Sequence, residues 1–462
     1  MKSEIDSFHE RIDAALDSGD DVRLGEELQS ARAADIAESF ELLGDEERSR
    51  ILFALPPHTA AEVVVMLDEA VRGDVVEDLD TESLTELVSE LTPDDAADFL
   101  GELSEEEVGE ILDHMPDEES DKIEELLEYD EETAGGIMTP DVVAVSATAT
   151  VADATRFVRD ASQEEDLNEI YIVDEDQKPV GTVPLRRLVT NPPETKLAGI
   201  CDRDPVVVFV GDDQETVIQI IRKYDAMEAV VVDANGRLLG RITHDDLLDV
   251  AEEEAAEDLL RMAGTDPDEL ETSSILQAVR IRLTWLLPCM LGMLLTASVL
   301  RISEPEFDVA LFAALAIFVP MIGAMGGNSG IQISTVIVRG FATGELASTK
   351  LLRAFAREGR IALLMAPVCG LAAWGIVSAF FPIFESFQSA SVVFGDHSRV
   401  ALAVGTAMTS AILVAAFLGI ALPFSFRRLG VDPAIASGPL VTTMNDVVSV
   451  TIYMILAMAI AQ

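Results

Sequence analysis

Asp446 is the sole charged residue in 433–462, an apolar run longer than the roughly 20 residues a helix needs to cross a bilayer. A carboxylate at the middle of a membrane helix costs about 2.5–3.5 kcal/mol on insertion scales. No Lys or Arg lies in the uncharged runs to pair with it. The natural partner is therefore a passing cation or a proton. Further oxygen donors accompany it: Thr442, Thr443 and Asn445 in the same run, and Asn328 and Gln332 four residues apart in another, so that their amides face one way. An oxygen-only donor set suits a hard cation such as Mg²⁺ or Ca²⁺. All five histidines are expected outside the membrane spans, and Cys201, Cys289 and Cys369 are scattered without a CxxC. That argues against a zinc, nickel or copper site and against a disulfide framework. With no HExxH and no nucleophile–base pair, the chain reads as a non-enzyme.

Four uncharged runs, 283–300, 309–338, 361–384 and 400–426, and the run 433–462 around Asp446 supply the elements that hold these residues. Arg280 and Arg282 precede the first, and Glu304, Glu306 and Asp308 follow it. Arg339, Lys350, Arg353, Arg357 and Arg360 fill the next loop; Glu385 and Asp396 with Arg399 lie after the third run, and Arg427 and Arg428 after the fourth. By the positive-inside rule, the N-terminus and loop 339–360 are cytoplasmic, while loop 385–399 and the C-terminus are external. The polar, acidic N-terminus predicts no cleaved signal peptide. The second run contains Pro320 and the glycines 323, 326, 327 and 330. These either loosen the backbone beside a watery path or let helices pack closely.

The preceding half is of another character. The net charge is −53, and residues 271 onward hold only 10 acidic and 11 basic side chains, leaving 74 and 20 in 1–270. Solvation in high salt is the simplest cause of such an acidic surface, and its repulsion from phosphates argues against nucleic acid. Residues 1–132 read as short helices, with apolar residues at spacings of three and four and starts at Pro56-Pro57, Asp80-Thr81, Thr92-Pro93, Ser104 and Pro116, in the manner of a helical superhelix. Residues 133–250 alternate β-branched runs with helices and contain a repeat. Ile170-Tyr171-Ile172-Val173-Asp174 returns 59 residues later as Ala229-Val230-Val231-Val232-Asp233, and Gly181 returns as Gly240 at the same offset. An acidic helix is expected over 245–262. Asp94 and Asp98 share one helix face, and Glu254, Glu257 and Asp258 share another, as solvated faces or as cation ligands.

The repeat resembles a tandem pair of CBS domains, 133–195 and 196–250, opened by Met138-Thr139-Pro140. The whole order — helical domain 1–132, CBS pair, connecting helix 251–275 and five-span domain 276–462 — resembles the MgtE family of magnesium channels. The motifs that carry the likeness are Glu131-Glu132-Thr133-Ala134-Gly135-Gly136-Ile137-Met138-Thr139-Pro140, Gly326-Gly327-Asn328-x-Gly330-x-Gln332, Gly430-Val431-Asp432-Pro433-Ala434 and Pro439-Leu440-Val441-x-Thr443-x-x-Asp446. The resemblance implies a multi-pass homodimer in the lipid of the cell membrane that imports Mg²⁺. The pore would lie on the two-fold axis, with Asp446 facing the hydrated ion. It also implies closure by cytoplasmic Mg²⁺ bridging Glu62, Asp94, Asp98, Asp213, Asp225, Asp246, Asp249, Glu254, Glu257, Asp258 and Asp432. The CBS likeness implies at most one nucleotide site, for ATP, at Thr243 and Asp246, because the first repeat has Pro184 and Arg187 there. Two departures stand out: Ile331 and Gly438 occupy positions where some relatives carry Asn. The alternatives are a carrier of Co²⁺ or Ca²⁺ and a membrane-anchored CBS sensor that transports nothing.

Overall fold

The computed structural model describes residues 2–18, 21–40, 42–77, 79–161, 167–267, 269, 274–346, 351–387 and 397–461. Lys350 and Asp396, used above for topology, lie outside them. The chain divides into two compact units, Met1–Glu252 and Glu253–Gln462.

The first unit opens with ten helices, α1 (Lys2–Ser18) to α10 (Asp117–Leu127). Their starts follow the expected chemistry. Asp80 accepts from the Ser83 amide at 2.9 Å to cap α7 (Thr81–Val88). Ser104 and Glu107 form a reciprocal capping box on α9 (Glu105–Leu112), which satisfies amides that the first turn leaves unpaired. Proline occupies the first turn of α5 (Pro57–Val65) and α8 (Pro93–Gly101), where its missing N–H costs nothing. The third helix, Ala33–Phe40, packs on α5, α5 on α7, α7 on α9, and α8 on α10. Alternate helices thus form two rows closed over Phe40, Ile51, Val63, Leu84, Phe99 and Leu100.

Two three-stranded sheets follow, with helices α11 (Val151–Ala161) and α12 (Leu185–Thr190) beside the first and α13 (Gln214–Tyr224) beside the second. In the first, β1 (Ala144–Ser146) pairs parallel with β2 (Glu169–Val173), which pairs antiparallel with β3 (Pro179–Pro184). In the second, β4 (Val207–Phe209), β5 (Ala229–Val232) and β6 (Leu238–Ile242) repeat the order. The registers Ile172↔Gly181 and Val231↔Gly240 keep the 59-residue offset, and each hairpin has an irregularity one residue on. The repeated glycine has a steric cause. A Cβ on Gly181 would lie 2.4 Å from the Asp202 carbonyl oxygen, and one on Gly240 2.6 Å from that of Thr139. Tyr171 joins the repeats, packing on Val230 and Val232 and donating to Glu228 Oε2 at 2.6 Å. Arg241 lies 3.6 Å from the same buried carboxylate. Helix α14 (His244–Ala263) then runs from this unit into the next.

Among the described residues, the second unit has five helical segments long and apolar enough to cross a membrane. They contain α15 (Ile275–Ser303), α16 (Val309–Ala316) with α17 (Val319–Ala342), α18 (Leu351–Phe387), α19 (His397–Arg428) and α20 (Gly438–Ala461). One expectation needs correction, and one open choice is decided. The run 309–338 is two helices, broken at Ile317–Phe318. Pro320 sits in the first turn of α17, and its ring would collide with the carbonyl four residues back, that of Ala316, where α16 stops. The glycines, by contrast, do not loosen α17, which is continuous through all four. They are where α20 packs. A Cβ on Gly326 would lie 2.3 Å from Asn445 Nδ2, one on Gly327 2.9 Å from Thr442 Cγ2 and one on Gly330 2.6 Å from Val441 Cγ1. Gly326→Ala should therefore destabilise the membrane unit by about 1–3 kcal/mol, read as a lower thermal midpoint in detergent. An unchanged midpoint would mean that the two helices are not held this closely. A further correction concerns His397, expected outside the spans. It opens α19, stacked on Phe381 with ring centroids 4.9 Å apart.

Candidate cation pathway and regulatory acids

Asp446 lies in the third turn of α20, on the side buried against α17. Among the described residues its Oδ1 has no hydrogen-bond partner, and it would be 3.0 Å from a Cβ on Gly323. The absent side chain leaves the carboxylate room. Asn445 beside it is fully buried; its Oδ1 accepts from Ser449 Oγ at 3.2 Å, and its Nδ2 has no partner. Thr442 and Thr443 donate to the carbonyls of Gly438 (3.0 Å) and Pro439 (2.7 Å), which leaves their hydroxyl oxygens free to accept. Within one chain, then, α20 and the glycine face of α17 bring Asp446, Asn445 and Thr442 together. Thr443 instead faces α15, its Cγ2 lying 1.9 Å from a Cβ placed on Gly292. Asn328 and Gln332 stand on another, exposed face of α17 and are not brought to Asp446.

Ahead of α20, Gly438 has a φ of +49°. That region suits glycine best and asparagine next, which accounts for the two residue types expected at this position. Asp432 Oδ1 accepts from the Ala434 amide at 2.8 Å, and its Oδ2 lies 2.9 Å from Arg261 Nη1. The same guanidinium pairs with Glu257. Glu254 and Asp258 are half-buried on the same helix.

The first unit holds a second acidic group. Asp94, Asp95 and Asp98 project from α8 into the field of Asp245, Asp246 and Asp249 at the start of α14. Partial burial of its carboxyl, followed by the neighbouring carboxylates Asp94, Asp95, Glu131 and Asp246, pushes Asp98 up to about 7, although the residue as a whole is exposed to solvent. Burial and the Asp94 charge push Asp246 to about 6 against its hydrogen bond from Thr243. Asp94 and Asp95 are also raised, chiefly by burial, and Asp94 Oδ1 is buried without a partner. Burial and Asp245 raise Asp249. Among the described residues no three carboxylate, imidazole or thiolate groups stand close enough to hold one ion. The all-oxygen donor set and the orphaned Asp94 oxygen nonetheless suit a hard cation arriving from solution.

The remaining acids have local roles. Glu62 lies 3.5 Å from His58. Asp213 caps α13 (Gln214–Tyr224) at its start, and Asp225 ends it at a φ of +53°. Thr243 donates to Asp246 Oδ2 at 2.5 Å, a capping pair that Thr150 and Asp153 repeat at 2.7 Å in the first repeat. The cap alone thus accounts for Thr243 and Asp246 sitting together. Arg187 is engaged with the Ile200 carbonyl and Asp202.

Sequence reasoning missed Asp95, Asp245, Glu131 and Arg261. The first three adjoin predicted acids or lie in a quoted motif. Arg261 was visible as the sole Lys or Arg in the 20 residues of α14.

A family model described as a divalent cation transporter, MgtE, matches residues 319–456. The MgtE intracellular N domain matches 31–132, and the CBS domain matches 134–193 and 197–253. The magnesium transporter MgtE of Thermus thermophilus is 36% identical over 341 residues, 73% of this chain and 72% of that one. The protein of the same name from Enterococcus faecalis is 36% identical over 72% and 70%. A crystal structure of the cytosolic domain of the Mg²⁺ channel MgtE in complex with ATP superposes with a TM-score of 0.50 and 34% identity, covering 52% of this chain and 99% of that one. Helical domain, CBS pair and membrane domain match in one order, and this chain belongs to the MgtE family.

Proposed function

We propose that this chain is a Mg²⁺-selective channel that imports the ion across the cell membrane as a homodimer and closes when cytoplasmic Mg²⁺ binds its acidic residues. The observation that carries the reading is the orphaned carboxylate oxygen of Asp446 inside a membrane helix. Mg²⁺ sheds water reluctantly, so carboxylate and backbone oxygens would hold it hydrated. Asn328 and Gln332, exposed on the single chain, would line the path once a second copy is present. The loop charges support a cytoplasmic N-terminus and an external C-terminus. Residues 1–132 and 133–250 would be sensor domains, 251–275 the connecting helix and 276–462 the pore domain. ATP is proposed at Thr243 and Asp246, because the similar cytosolic structure is named as an ATP complex.

For closure, Asp94, Asp95, Asp98, Asp246 and Asp249 would hold regulatory Mg²⁺, which supplies positive charge between α8 and α14. Without it these carboxylates repel and the two helices part. The deciding experiment is ion flux into proteoliposomes holding the purified full chain, with Mg²⁺, Co²⁺ and Ca²⁺ compared. Mg²⁺ uptake should dominate. Preferred Co²⁺ or Ca²⁺ uptake would overturn the selectivity, and no uptake of any ion would overturn transport.

The raised carboxyls add a pH dependence. A carboxyl whose folded pKa is raised favours packing while protonated. That contribution is full below the ordinary carboxylate range and is lost as pH rises through about 6 for Asp246 and about 7 for Asp98. In the metal-free chain, α8 amides should therefore show lower protection factors at pH 8 than at pH 6, with the intrinsic rise of amide exchange with pH divided out, and Mg²⁺ should raise protection most at pH 8, where protons no longer compete for the ligands. Equal protection factors at both pH values in EDTA would contradict this.

A further inference from the structure

The C-terminal end of the acidic helix is keyed into the segment just ahead of α20. Arg261 lies between Glu257 and Asp432, and Asp432 is oriented for it by the Ala434 amide on its other oxygen. The next residue, Met262, places its carbonyl oxygen 2.0 Å from where Gly438 would carry a Cβ. Gly264, at a φ of +84°, turns the chain so that Pro439 Cγ occupies its own missing Cβ position at 2.5 Å. Any side chain at Gly438 or Gly264 would hold the two segments apart. Asp446 is only two turns further along α20.

From this contact we infer that Arg261 is a resident cation that latches α14 to the mouth of the pore, doing at Glu257 and Asp432 what a divalent ion would otherwise do. The inference rests on the proposed gating role of α14. The chemistry favours a guanidinium here. It is charged at every working pH and presents five donors in a planar fork, enough for two carboxylates. Held covalently, it cannot be diluted or chelated away. Without it, the acidic end of α14 would face Asp432 like charge to like charge. Arg261 is thus a positioning residue, and the Mg²⁺-dependent part of closure falls to the acids around α8 and the start of α14.

The test uses the full chain in detergent, followed by hydrogen exchange of amides 257–264 in EDTA and in Mg²⁺, alongside proteoliposome flux. In the parent these amides should be equally protected in both. Arg261→Gln should lose that protection in EDTA and need about threefold to tenfold more internal Mg²⁺ for half-closure. Arg261→Lys should retain part of both. If Arg261→Gln does not fold, Asp432→Asn, which keeps the oxygen that accepts from Ala434, should show the same loss. Parent amides protected only in Mg²⁺, or variants that match the parent, would overturn the latch. If the exchange effect appears but parent flux ignores internal Mg²⁺, the latch stands and the gating reading falls.

Discussion

Asp446→Ala should abolish Mg²⁺ flux while leaving the protein folded and, unusually for a buried substitution, no less heat-stable. A carboxylate placed in a membrane helix costs about 2.5–3.5 kcal/mol, and its Oδ1 recovers nothing through hydrogen bonding. A structural role would leave that cost unexplained and would make the substitution destabilising. A role in passing cations predicts the reverse: stability is unchanged or raised, and flux falls by about 100-fold or more if the cation recovers an energy of that size. Asp446→Asn keeps the shape beside Gly323 and should lose flux almost as completely, because the charge attracts the ion. Flux at the parent's level in a well-folded variant of either kind would remove Asp446 from the pathway. The measurement pairs thermal unfolding with Mg²⁺ uptake on one preparation.

Much of the framework was readable because it is written in local rules. Asp80, Ser104 and the prolines at 57 and 93 start helices through chemistry that involves only their immediate neighbours. The 59-residue repeat was readable because strand alternation and a glycine required by a crossing carbonyl recur together. What could not be read depends on the facing surface. The glycines of α17 were compatible with a loosened helix or a tight one until Asn445, Thr442 and Val441 were seen filling the space. Asp432 reads from the sequence as an acid bridged by Mg²⁺, because its partner Arg261 lies 171 residues away. Asp94 and Asp98 were recognisable as one face, but Asp95 and Asp245 joined them only because α8 meets the start of α14. Periodicity reports which side of a helix is special and is silent about what that side meets.

That meeting of acids sets up the second large effect. Asp94→Asn with Asp98→Asn should leave the pore open at internal Mg²⁺ concentrations that close the parent. The required concentration should rise about tenfold, within the 1–3 kcal/mol that coupling between sites commonly carries. Two consequences of the substitution oppose each other. Neutral amides weaken the repulsion that drives α8 from α14, which favours closure, and they remove anionic ligands that a divalent ion would hold, which favours opening. Asp95, Asp245, Asp246, Asp249 and Glu131 remain in the cluster, so repulsion persists, while the Asp94 group with its buried Oδ1 loses its charge and one of its two oxygens. The loss of ligands should win. Glu118→Gln with Glu119→Gln is the control. Both lie in the first turn of α10, as Asp94 does in α8, so the change costs helix-terminus interactions of about 0.3–1 kcal/mol each and should leave closure alone. Flux is recorded against internal Mg²⁺ at constant high salt, because a monovalent ion screens charges but cannot bridge two helices. If the pair and the control both close where the parent does, the acidity of this unit serves solvation. If the pair closes with no Mg²⁺ present, repulsion alone opens the parent and the cation is not the brake.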